Sequence, residues 1–487
     1  MLYRLYLTPL LCTAAAAAIG FYFLFSLAPV LVFILMFVSL LALCFFRVLA
    51  LFYRGHRSWQ LIAVCSTAVA AGLVLGICAA NAGSKEIYFA IDEKRITAIE
   101  GVLLEDPRII SGGRSMVSVS LKRCAGEGGL RAGSRGEITV FFPQDSVLKL
   151  REFGRGTSIF AEGYLRLTET GWIFSASSLH IVKTAPAVER MRTGIRLNLI
   201  QKFDGKNWGG LALAMLVGIR DNLDSNLTVM YREAGLSYIL ALSGMHLAVL
   251  TALIAFLLRK PLGLKAAAIT GSVIIILYCF IVGPMPSLNR AAIMYLLGVV
   301  AVLGALPKVS MSILALSFLI QIVFTPSSGN TISFILSYLA MLGILIVAKA
   351  LVSLFSGKIP DFLLQPLAIS CGAFLATAGV CSYTFGFLAP AGIIAGLIIV
   401  PATTIFMTGS ILWLVLDIFS LSGLLDFPLS LLYRLMERTA SLAGFVPGIS
   451  GTNPFYILAI SISLSLLIVT LEYKLRVKRL KLRAFHD

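Results

Sequence analysis

The sequence predicts a polytopic α-helical membrane protein with about ten to twelve transmembrane helices and one small β-barrel domain inserted after the third helix. Of its 487 residues, 59% are hydrophobic and 13% are charged, whereas soluble globular proteins are about half apolar and about a quarter charged. Several windows exceed the roughly 18 apolar residues that a membrane-crossing helix needs. The segment 85–185 differs, because it contains short alternating runs of apolar and polar residues.

The N-terminal segment, residues 1–84, is predicted to contribute the first three transmembrane helices. These spans lie near 8–27, 29–46 and 59–80. Arg47, Arg54 and Arg57 lie between the second and third spans. Loops rich in Lys and Arg stay on the cytoplasmic side of a membrane, so the third helix should deliver the next segment to the outside.

Residues 85–185 are predicted to form an extracytoplasmic β domain. Five runs rich in β-branched and aromatic residues follow one another between turn signals. The runs are "ITAIEGVLLED", "SMVSVSLKRC", "RGEITVFF", "SIFAEGYLRL" and "GWIFSASSLHIV". Five strands in about 100 residues are typical of a small barrel of the OB type.

The rest of the chain is predicted to be helical. Residues 186–208 carry charges at helical spacing, which favours an amphipathic helix at the membrane interface. Residues 209–473 should form a second membrane domain. Its predicted spans lie near 236–258, 266–283, 288–306, 309–325, 331–350, 363–381, 385–407, 409–425 and 454–473. The tail, residues 474–487, is basic, so we expect it in the cytoplasm together with the N-terminus.

Two motifs in the second membrane domain carry a family resemblance. The first is "MLVGIRDNLDSNLTVMYREAGLSYILALSGMHLAVL", and its matching residues are Gly218, Asp221, Asp224, Arg232, Ala234, Gly235, Leu236, Ser237, Ala241, Ser243, Gly244 and His246. The second is "GPMPSLNRAAIMYLLG", which matches through Pro286, Ser287, Arg290, Ala291 and Met294. In this order and at this separation, the motifs resemble those of the ComEC family of competence DNA-uptake channels.

Two further segments extend the resemblance, and two positions depart from it. The segments are "ISFILSYLAMLGILI" and "GLIIVPATTIF", which contains Pro401. Tyr238 stands where many relatives have a histidine, and Gly396 stands where the family pattern leads us to expect an asparagine.

The resemblance implies an inner-membrane channel that passes single-stranded DNA into the bacterial cytoplasm during natural transformation. It also implies an external DNA receptor and a cytoplasmic helicase-like motor as partners, besides the membrane lipids, and a homo-oligomer is compatible with it. No nucleotide-binding P-loop occurs in the sequence, so we expect the motive force to come from another protein or from a gradient.

Many members of this family continue into a metallo-β-lactamase-like domain. Here the sequence contains no HxHxDH zinc signature, and its four histidines are scattered. We therefore expect a short form of the family without that domain and without nuclease activity. Cysteine or histidine pairs with zinc spacing do not occur either, and we expect no metal, no cofactor and no enzymatic activity.

Ser243, Gly244 and His246 interrupt an apolar segment and are the first candidates for a DNA path. An ionisable residue at membrane depth normally faces the protein interior or a watery cavity, and glycine allows a neighbouring helix or a substrate to approach closely. One alternative is a histidine that only fixes helix packing through hydrogen bonds. Another is a serine–histidine hydrolase centre, although the sequence shows no third orienting carboxylate.

Charged and polar residues near these motifs extend the candidate path. Arg290 and Ser287 begin a predicted span, and a helix N-terminus with an arginine is a good anion site. The alternative is an arginine that snorkels to the membrane interface. The other candidates are Asp221, Asp224 and Arg232, whose alternative role is local salt bridging at the surface.

The β domain offers a second candidate contact with DNA. Domains that bind single strands combine a basic groove with aromatic stacking platforms. The basic residues of such a face would be Arg108, Arg114, Lys122, Arg123, Arg131 and Arg135. A rival interpretation of the whole protein is a transporter of a small or lipid-linked substrate, which should show paired intramembrane charges or inverted repeats.

Overall fold

The computed structural model describes residues 2–23, 58–83, 87–110, 114–126, 131–146, 150, 152–168, 171–306 and 309–483. They form two compact units. The barrel unit consists of Ser84–Asp224 and Ile276–Met285, and the helical unit consists of Met1–Gly83, Ser225–Ile275 and Pro286–Asp487. The predicted second span, 29–46, and the basic residues that follow it lie outside the described residues.

The helices are numbered along the whole chain. They are α1 (Leu2–Phe23), α2 (Ser58–Gly83), α3 (Ala187–Phe203), α4 (Gly209–Val217), α5 (Ser225–Glu233), α6 (Ser237–Leu240), α7 (Gly244–Val282), α8 (Pro286–Leu303), α9 (Ser310–Phe324), α10 (Ile332–Gly343), α11 (Lys349–Phe355), α12 (Asp361–Phe385), α13 (Ala391–Asp417), α14 (Gly423–Gly444) and α15 (Pro454–Arg483). A π-helical turn, Ile344–Ala348, joins α10 to α11 without a break.

The strands belong to two sheets. Those of the barrel unit are β1 (Ile96–Leu103), β2 (Arg108–Ile109), β3 (Ser115–Gly126), β4 (Arg131–Gly133), β5 (Glu137–Phe142), β6 (Ser158–Thr168), β7 (Gly171–Ala176) and β8 (His180–Lys183). The helical unit contains one short pair, β9 (Phe387–Leu388) with β10 (Ile449–Ser450).

The sheet of the barrel unit closes on itself. Hydrogen bonds join β1, β3, β5, β7 and β6 in that order, and β6 pairs again with β1. Every pairing around this ring is antiparallel except that of β5 with β7, which is parallel. The predicted small closed barrel is therefore confirmed.

Apolar side chains fill the interior of the barrel. Strand residues point alternately to the two faces of a sheet, and β3 accordingly buries Val117, Val119 and Leu121 while the residues between them are less buried. These side chains pack with Val140 of β5 and Phe174 of β7 in one core. A ligand of this domain must therefore bind to its outer surface.

Six helices in the described part of the chain are long and apolar enough to cross a membrane. They are α7, α8, the continuous α10–α11, α12, α13 and α15 up to Val477. Shorter apolar stretches occur in α1, α2 and α9. The prediction of a polytopic membrane protein is thus confirmed.

Helix α7 is a hairpin of two helical legs. Its backbone leaves the helical conformation at Gly263, where φ is 76° and ψ is 171°. Beyond this point the chain turns back, because the Cβ position of Gly271 lies only 3.4 Å from Cγ2 of Ile254. The two legs correspond to the predicted spans 236–258 and 266–283. The basic residues at the turn are Arg259, Lys260 and Lys265.

Helices α1 and α2 pack against each other through small residues. A side chain on Gly72 would collide with the carbonyl oxygen of Thr13, and one on Gly76 with that of Ala17. Gly72 and Gly76 form a GxxxG pair, which allows two membrane helices to approach closely. The second contact lies four residues after the first in both helices, so α1 and α2 run in the same direction. The predicted first and third spans should cross the membrane in the same direction as well.

Two predicted spans differ from the helices of the structure. The span 236–258 is not continuous, because α6 ends at Leu240 and α7 begins only at Gly244. The span 409–425 is wrong: α13 continues to Asp417, and α14 then folds back along it, with Nε1 of Trp413 donating to Asp426 at 2.8 Å. The apolar end of α13 and the apolar start of α14 adjoin in the sequence and together have the length of one span.

Candidate functional site

Ser243 and His246 build the start of α7. The Ser243 hydroxyl accepts a hydrogen bond from the Met245 backbone N–H at 3.3 Å, and the Ser243 carbonyl accepts one from the His246 N–H at 3.1 Å. In return, the Ser243 backbone N–H donates to Nδ1 of His246 at 3.2 Å, and the Ser243 hydroxyl is 3.0 Å from the same atom. This is the reciprocal arrangement of a helix capping box, with a histidine in place of the usual Glu or Gln.

The ring of His246 is fully buried. Because Nδ1 accepts a hydrogen bond from Ser243, we assign the proton of the neutral ring to Nε2. Nε2 makes no hydrogen bond to any described residue, although the Ile239 backbone is near enough to interact with the ring. A buried polar group without a partner costs about 1–3 kcal/mol. Nε2 is therefore the atom of this motif that a ligand or a water molecule would satisfy.

Arg290 is held inside the helical unit, where it is 8% exposed. Its Nε donates to the hydroxyl of Ser337 on α10 at 2.8 Å, and the Ser287 hydroxyl is 3.0 Å from that same oxygen. The guanidinium carbon lies 5.7 Å from the centre of the Tyr338 ring. Within the described residues, no carboxylate forms an ion pair with Arg290. Its side chain thus packs between helices and does not reach outward as a snorkelling arginine would.

A second layer of buried polar side chains supports this arginine. The Tyr338 hydroxyl donates to the side-chain oxygen of Gln321 on α9 at 3.0 Å, and the Gln321 amide donates to the carbonyl of Pro286 at 3.1 Å. Sequence analysis did not select Ser337, Tyr338 or Gln321 as site residues. Ser337 and Tyr338 lie in the segment "ISFILSYLAMLGILI", and Gln321 interrupts a predicted span, so polar residues within apolar helices were the available signal.

The two sequence motifs meet at Gly244, the first residue of α7. A Cβ atom at this position would lie 3.3 Å from Nη2 of Arg290 and 3.5 Å from Cβ of Ala291. A side chain at this position would require the guanidinium to shift by a few tenths of an ångström. The structure therefore brings five predicted residues into one place, which we call the motif cluster: Ser243, Gly244, His246, Ser287 and Arg290.

The two departures from the family pattern are also neighbours. A Cβ atom on Gly396 of α13 would lie 3.1 Å from the hydroxyl oxygen of Tyr238 on α6. Tyrosine is larger than histidine and glycine is smaller than asparagine. The two differences therefore compensate in volume at one contact between helices.

The charged residues near the start and the end of α5 form another group of predicted site residues. Asp221 and Asp224 belong to the barrel unit. Asp221 accepts a hydrogen bond from the Ile109 backbone N–H at 3.2 Å, and Asp224 is exposed. Arg232 is exposed in the last turn of α5 and, within the part of the chain that is described, forms no ion pair. A role of these three residues in a DNA path stays a prediction.

The predicted basic residues of the barrel gather around β3. Strands β2 and β4 both pair with β3, and these strands and the loops next to them carry all six residues. Five of them are exposed, namely Arg108, Arg114, Lys122, Arg123 and Arg135. Glu105 forms a 2.6 Å ion pair with Arg108, and Glu100 lies 3.9 Å from Arg123. Arg131 is part of β4.

The barrel unit also contains a buried charge cluster that sequence analysis missed. Arg192 of α3 forms a bidentate pair with Asp106, with Nη1–Oδ1 at 3.0 Å and Nη2–Oδ2 at 2.7 Å. Nε of Arg196 lies 3.2 Å from the same carboxylate. The side chain of Arg192 is only 2% exposed. We call these three residues the arginine clamp. The predicted interfacial helix thus turns two of its charges inward.

The arginine clamp fixes the end of α7. Nε of Arg192 donates to the carbonyl of Phe280 at 2.9 Å, and Nη1 of Arg196 donates to the carbonyls of Ile281 and Val282 at 3.1 and 3.2 Å. The last carbonyls of a helix have no partners within it, and cations stabilise this end of the helix dipole. Arg192 and Arg196 therefore satisfy acceptors that would otherwise need water.

The charge balance of the arginine clamp keeps Asp106 ionised. Burial alone raises the pKa of Asp106, but the hydrogen bonds from Arg192 and the charges of Arg196 and Arg192 outweigh burial, so the pKa lies below its ordinary value of 3.8. Burial likewise lowers the pKa of Arg196, a change that the nearby Asp106 opposes. Among the described residues, no group of His, Cys, Asp and Glu side chains is arranged to hold a metal ion.

Comparison with known proteins agrees with the two motifs. A family model described as "Competence protein" matches residues 215–474, more than half of the chain. An "Uncharacterized protein" of Aquifex aeolicus (strain VF5) is 25% identical over 288 residues, which cover 59% of this chain and 65% of that protein. "ComE operon protein 3" of Bacillus subtilis (strain 168) is 25% identical over 278 residues, which cover 54% of this chain and 34% of that protein.

The chain therefore spans less than two thirds of the length of either relative. No solved structure matches the chain. The family model covers both motifs of the motif cluster, and the predicted resemblance is confirmed. The chain belongs to the competence protein family, the ComEC family whose motifs meet at Gly244 and Arg290.

Proposed function

We propose that this protein forms a passage for single-stranded DNA through the cytoplasmic membrane of a bacterium. The observation that carries the proposal is the motif cluster, in which an arginine and a histidine lie among apolar helices and, within the described residues, pair with no carboxylate. Ionisable residues at membrane depth are costly and usually mark a substrate path. A polyanionic strand would supply the negative charge that this cluster lacks.

The charge distribution along α7 supports an outward orientation of the barrel. The turn at Gly263 is basic, and basic loops stay in the cytoplasm. Both ends of the α7 hairpin then belong on the outer side, and residues 276–285 at its C-terminal end are part of the barrel unit. The motif cluster, at the N-terminal end of α7, would accordingly lie near the outer entrance of the passage.

The strand order of the barrel supports an OB-like assignment. The ring contains five strands in which a single neighbouring pair, β5 with β7, is parallel. OB folds are five-stranded Greek-key barrels that bind oligonucleotides on their outer surface. In this proposal the exposed basic residues around β3 contact the phosphates of incoming DNA before it reaches the membrane.

The passage must widen when DNA enters. His246 is fully buried and Arg290 is nearly so. In this proposal the passage is therefore closed at the motif cluster. Helix α7 begins after an unwound segment, 241–243, and such a break lets a helix start move without disturbing the helix itself. The force for transport would come from a cytoplasmic helicase-like motor or from a gradient, and an external receptor would deliver the DNA.

Labelled-DNA uptake in the native host tests this proposal. Deletion of the gene should abolish internalisation and transformation while DNA binding at the cell surface stays intact. An Arg290→Ala strain that still produces the protein should lose most of its uptake, because the cluster loses its only cation. Normal transformation of the deletion strain would refute the proposal.

One alternative function is an intramembrane hydrolase, which the 3.0 Å contact between Ser243 and His246 would permit. However, the Ser243 hydroxyl already accepts the Met245 N–H as a helix cap. A hydrolase would lose a defined hydrolytic activity on His246→Ala. A transporter of a small or lipid-linked substrate is the other alternative, and it predicts that the deletion strain takes up DNA normally.

A further inference from the structure

We infer that Arg290 and the N-terminus of α7 form a binding site for a single phosphodiester group of the passing strand. The inference rests on the proposed function and adds to it where, and through which charge, the strand is held. Phospholipid headgroups carry the same phosphodiester chemistry, so the experiment below separates the two sources.

The guanidinium of Arg290 has more donors than acceptors around it. Arginine offers five N–H donors. In the described part of the chain, Nε bonds the Ser337 hydroxyl, Nη1 has only the sulfur of Met294 at 3.8 Å, and Nη2 makes no hydrogen bond. A thioether is a weak acceptor, and the Tyr338 ring covers only one face of the group. A buried cation is stable only when it is paired, so this geometry calls for an anion.

The start of α7 presents further positive charge to the same point. The helix dipole makes a helix N-terminus favourable for phosphate, and this contribution remains although the N–H groups of Met245, His246 and Leu247 already bond Ser243. Gly244 is the first residue of α7, and its Cβ position is 3.3 Å from Nη2 of Arg290. His246 lies in the same first turn, and its buried Nε2 forms no hydrogen bond to any of the described residues, although the Ile239 backbone lies near the ring. A helix start and two buried donor groups therefore belong to one cluster.

The residues next to the guanidinium of Arg290 are small. Gly244 has no side chain, and Ser287 is the small residue on the opposite helix, half-buried and hydrogen-bonded to Ser337. Because the contact involves charge and no base, the site should accept any nucleotide sequence.

Thiol chemistry at Ser287 measures the charge of this site directly. We would introduce Ser287→Cys into the full chain after replacing its eight native cysteines with alanine. The purified protein, in detergent without lipid, is then treated with a sulfonate-bearing and a trimethylammonium-bearing methanethiosulfonate. The anionic reagent should react faster, and Arg290→Met should reduce the ratio of the two rates about tenfold or more, because unit charges a few ångströms apart interact strongly inside a protein.

Two further variants keep this result interpretable. Arg290→Lys should retain the preference for the anionic reagent, which shows that the methionine effect is one of charge and not of misfolding. Lys358→Gln removes an exposed positive charge elsewhere in the helical unit and should leave the ratio unchanged. Equal rates with and without Arg290, or no reaction with either reagent, would overturn the inference.

Protection experiments identify the source of the phosphodiester. Oligothymidylate should slow modification of the cysteine, whereas an oligothymidylate with uncharged methylphosphonate linkages should not. Protection by phosphatidylglycerol but not by oligothymidylate would overturn the assignment to a DNA strand. Failure of the proposed function is distinguishable, because a deletion strain that takes up DNA normally refutes the passage whatever the thiol rates show.

Discussion

The arginine clamp allows the most direct prediction of stability. Asp106→Asn keeps the shape of the side chain but removes the negative charge between Arg192 and Arg196. Breaking a buried ion pair costs about 3–5 kcal/mol because the remaining charge stays buried. Arg192 is 2% exposed and Asp106 is 22% exposed, and the asparagine still offers one oxygen acceptor, so we expect the lower end of this range, about 3 kcal/mol.

Thermal unfolding of the purified full-length protein measures this loss. For a unit of about 150 residues, a change of 1 kcal/mol shifts the Tm by about 2–4 °C. The barrel unit of Asp106→Asn should therefore unfold about 6–12 °C below that of the wild type, as followed by the fluorescence of Trp172 in a variant that lacks the other three tryptophans. The matched control is Glu105→Gln, which removes the partner of the exposed Arg108 and should change stability by less than about 1 kcal/mol.

The same cluster predicts a dependence on pH. The pKa of Asp106 is lower in the folded protein than its ordinary value of 3.8. A lowered carboxyl pKa stabilises the folded state fully above the unfolded value, and this contribution is lost as pH falls through the folded value. The difference in Tm between wild type and Asp106→Asn should thus stay constant from neutral pH to about pH 5 and shrink below about pH 4. An equal Tm of the two proteins at neutral pH would refute the reasoning.

Three further predictions concern the helical unit. Ser243→Ala removes the cap of α7 and should lower the stability of the protein by about 1 kcal/mol. His246→Gln keeps an acceptor for the Ser243 N–H and should lower it less. Hydrogen exchange of the backbone at the start of α7 compares the two variants, and equal protection in both would contradict the capping box. Gly396→Asn should lower the Tm because the asparagine side chain meets the Tyr238 hydroxyl. Adding Tyr238→His to the same chain should restore the Tm. Additive effects of the two substitutions on the Tm would contradict the contact. Gly76→Leu collides with α1 and should lower the Tm in detergent by several degrees, at a cost of about 1–3 kcal/mol; a wild-type Tm would show that α1 and α2 do not pack closely.

Much of the fold follows from patterns within short segments. Apolar runs of membrane length predicted α8, α12 and α15, since the bilayer imposes the length and every backbone group must bond within its own helix. Alternating runs predicted the strands of the barrel. The turn of the α7 hairpin was predicted as well, because basic residues interrupt the apolar run there. The predictions were wrong where apolar stretches of two helices adjoin, as between α13 and α14.

The candidate site was predicted in part for a similar reason. Ser243, Gly244, His246 and Arg290 are conspicuous because they are polar or small residues in apolar surroundings. Gln321, Ser337 and Tyr338 support Arg290 from two other helices, and no spacing along the chain reveals such a contact. The unwound segment before α7 was missed because its residues, apart from Ser243, are as apolar as a helix.

The sequence by itself determined the class of this protein, the barrel after the first helices and the motifs that assign its family. These features depend on hydropathy and periodicity, which each segment carries alone. Only the tertiary structure decided that the two motifs touch at Gly244, that His246 caps a helix, and that Asp106 joins Arg192 across more than eighty positions. Such contacts depend on how segments that are distant in the sequence pack against one another. Local patterns of hydropathy and spacing do not show which distant segments will meet.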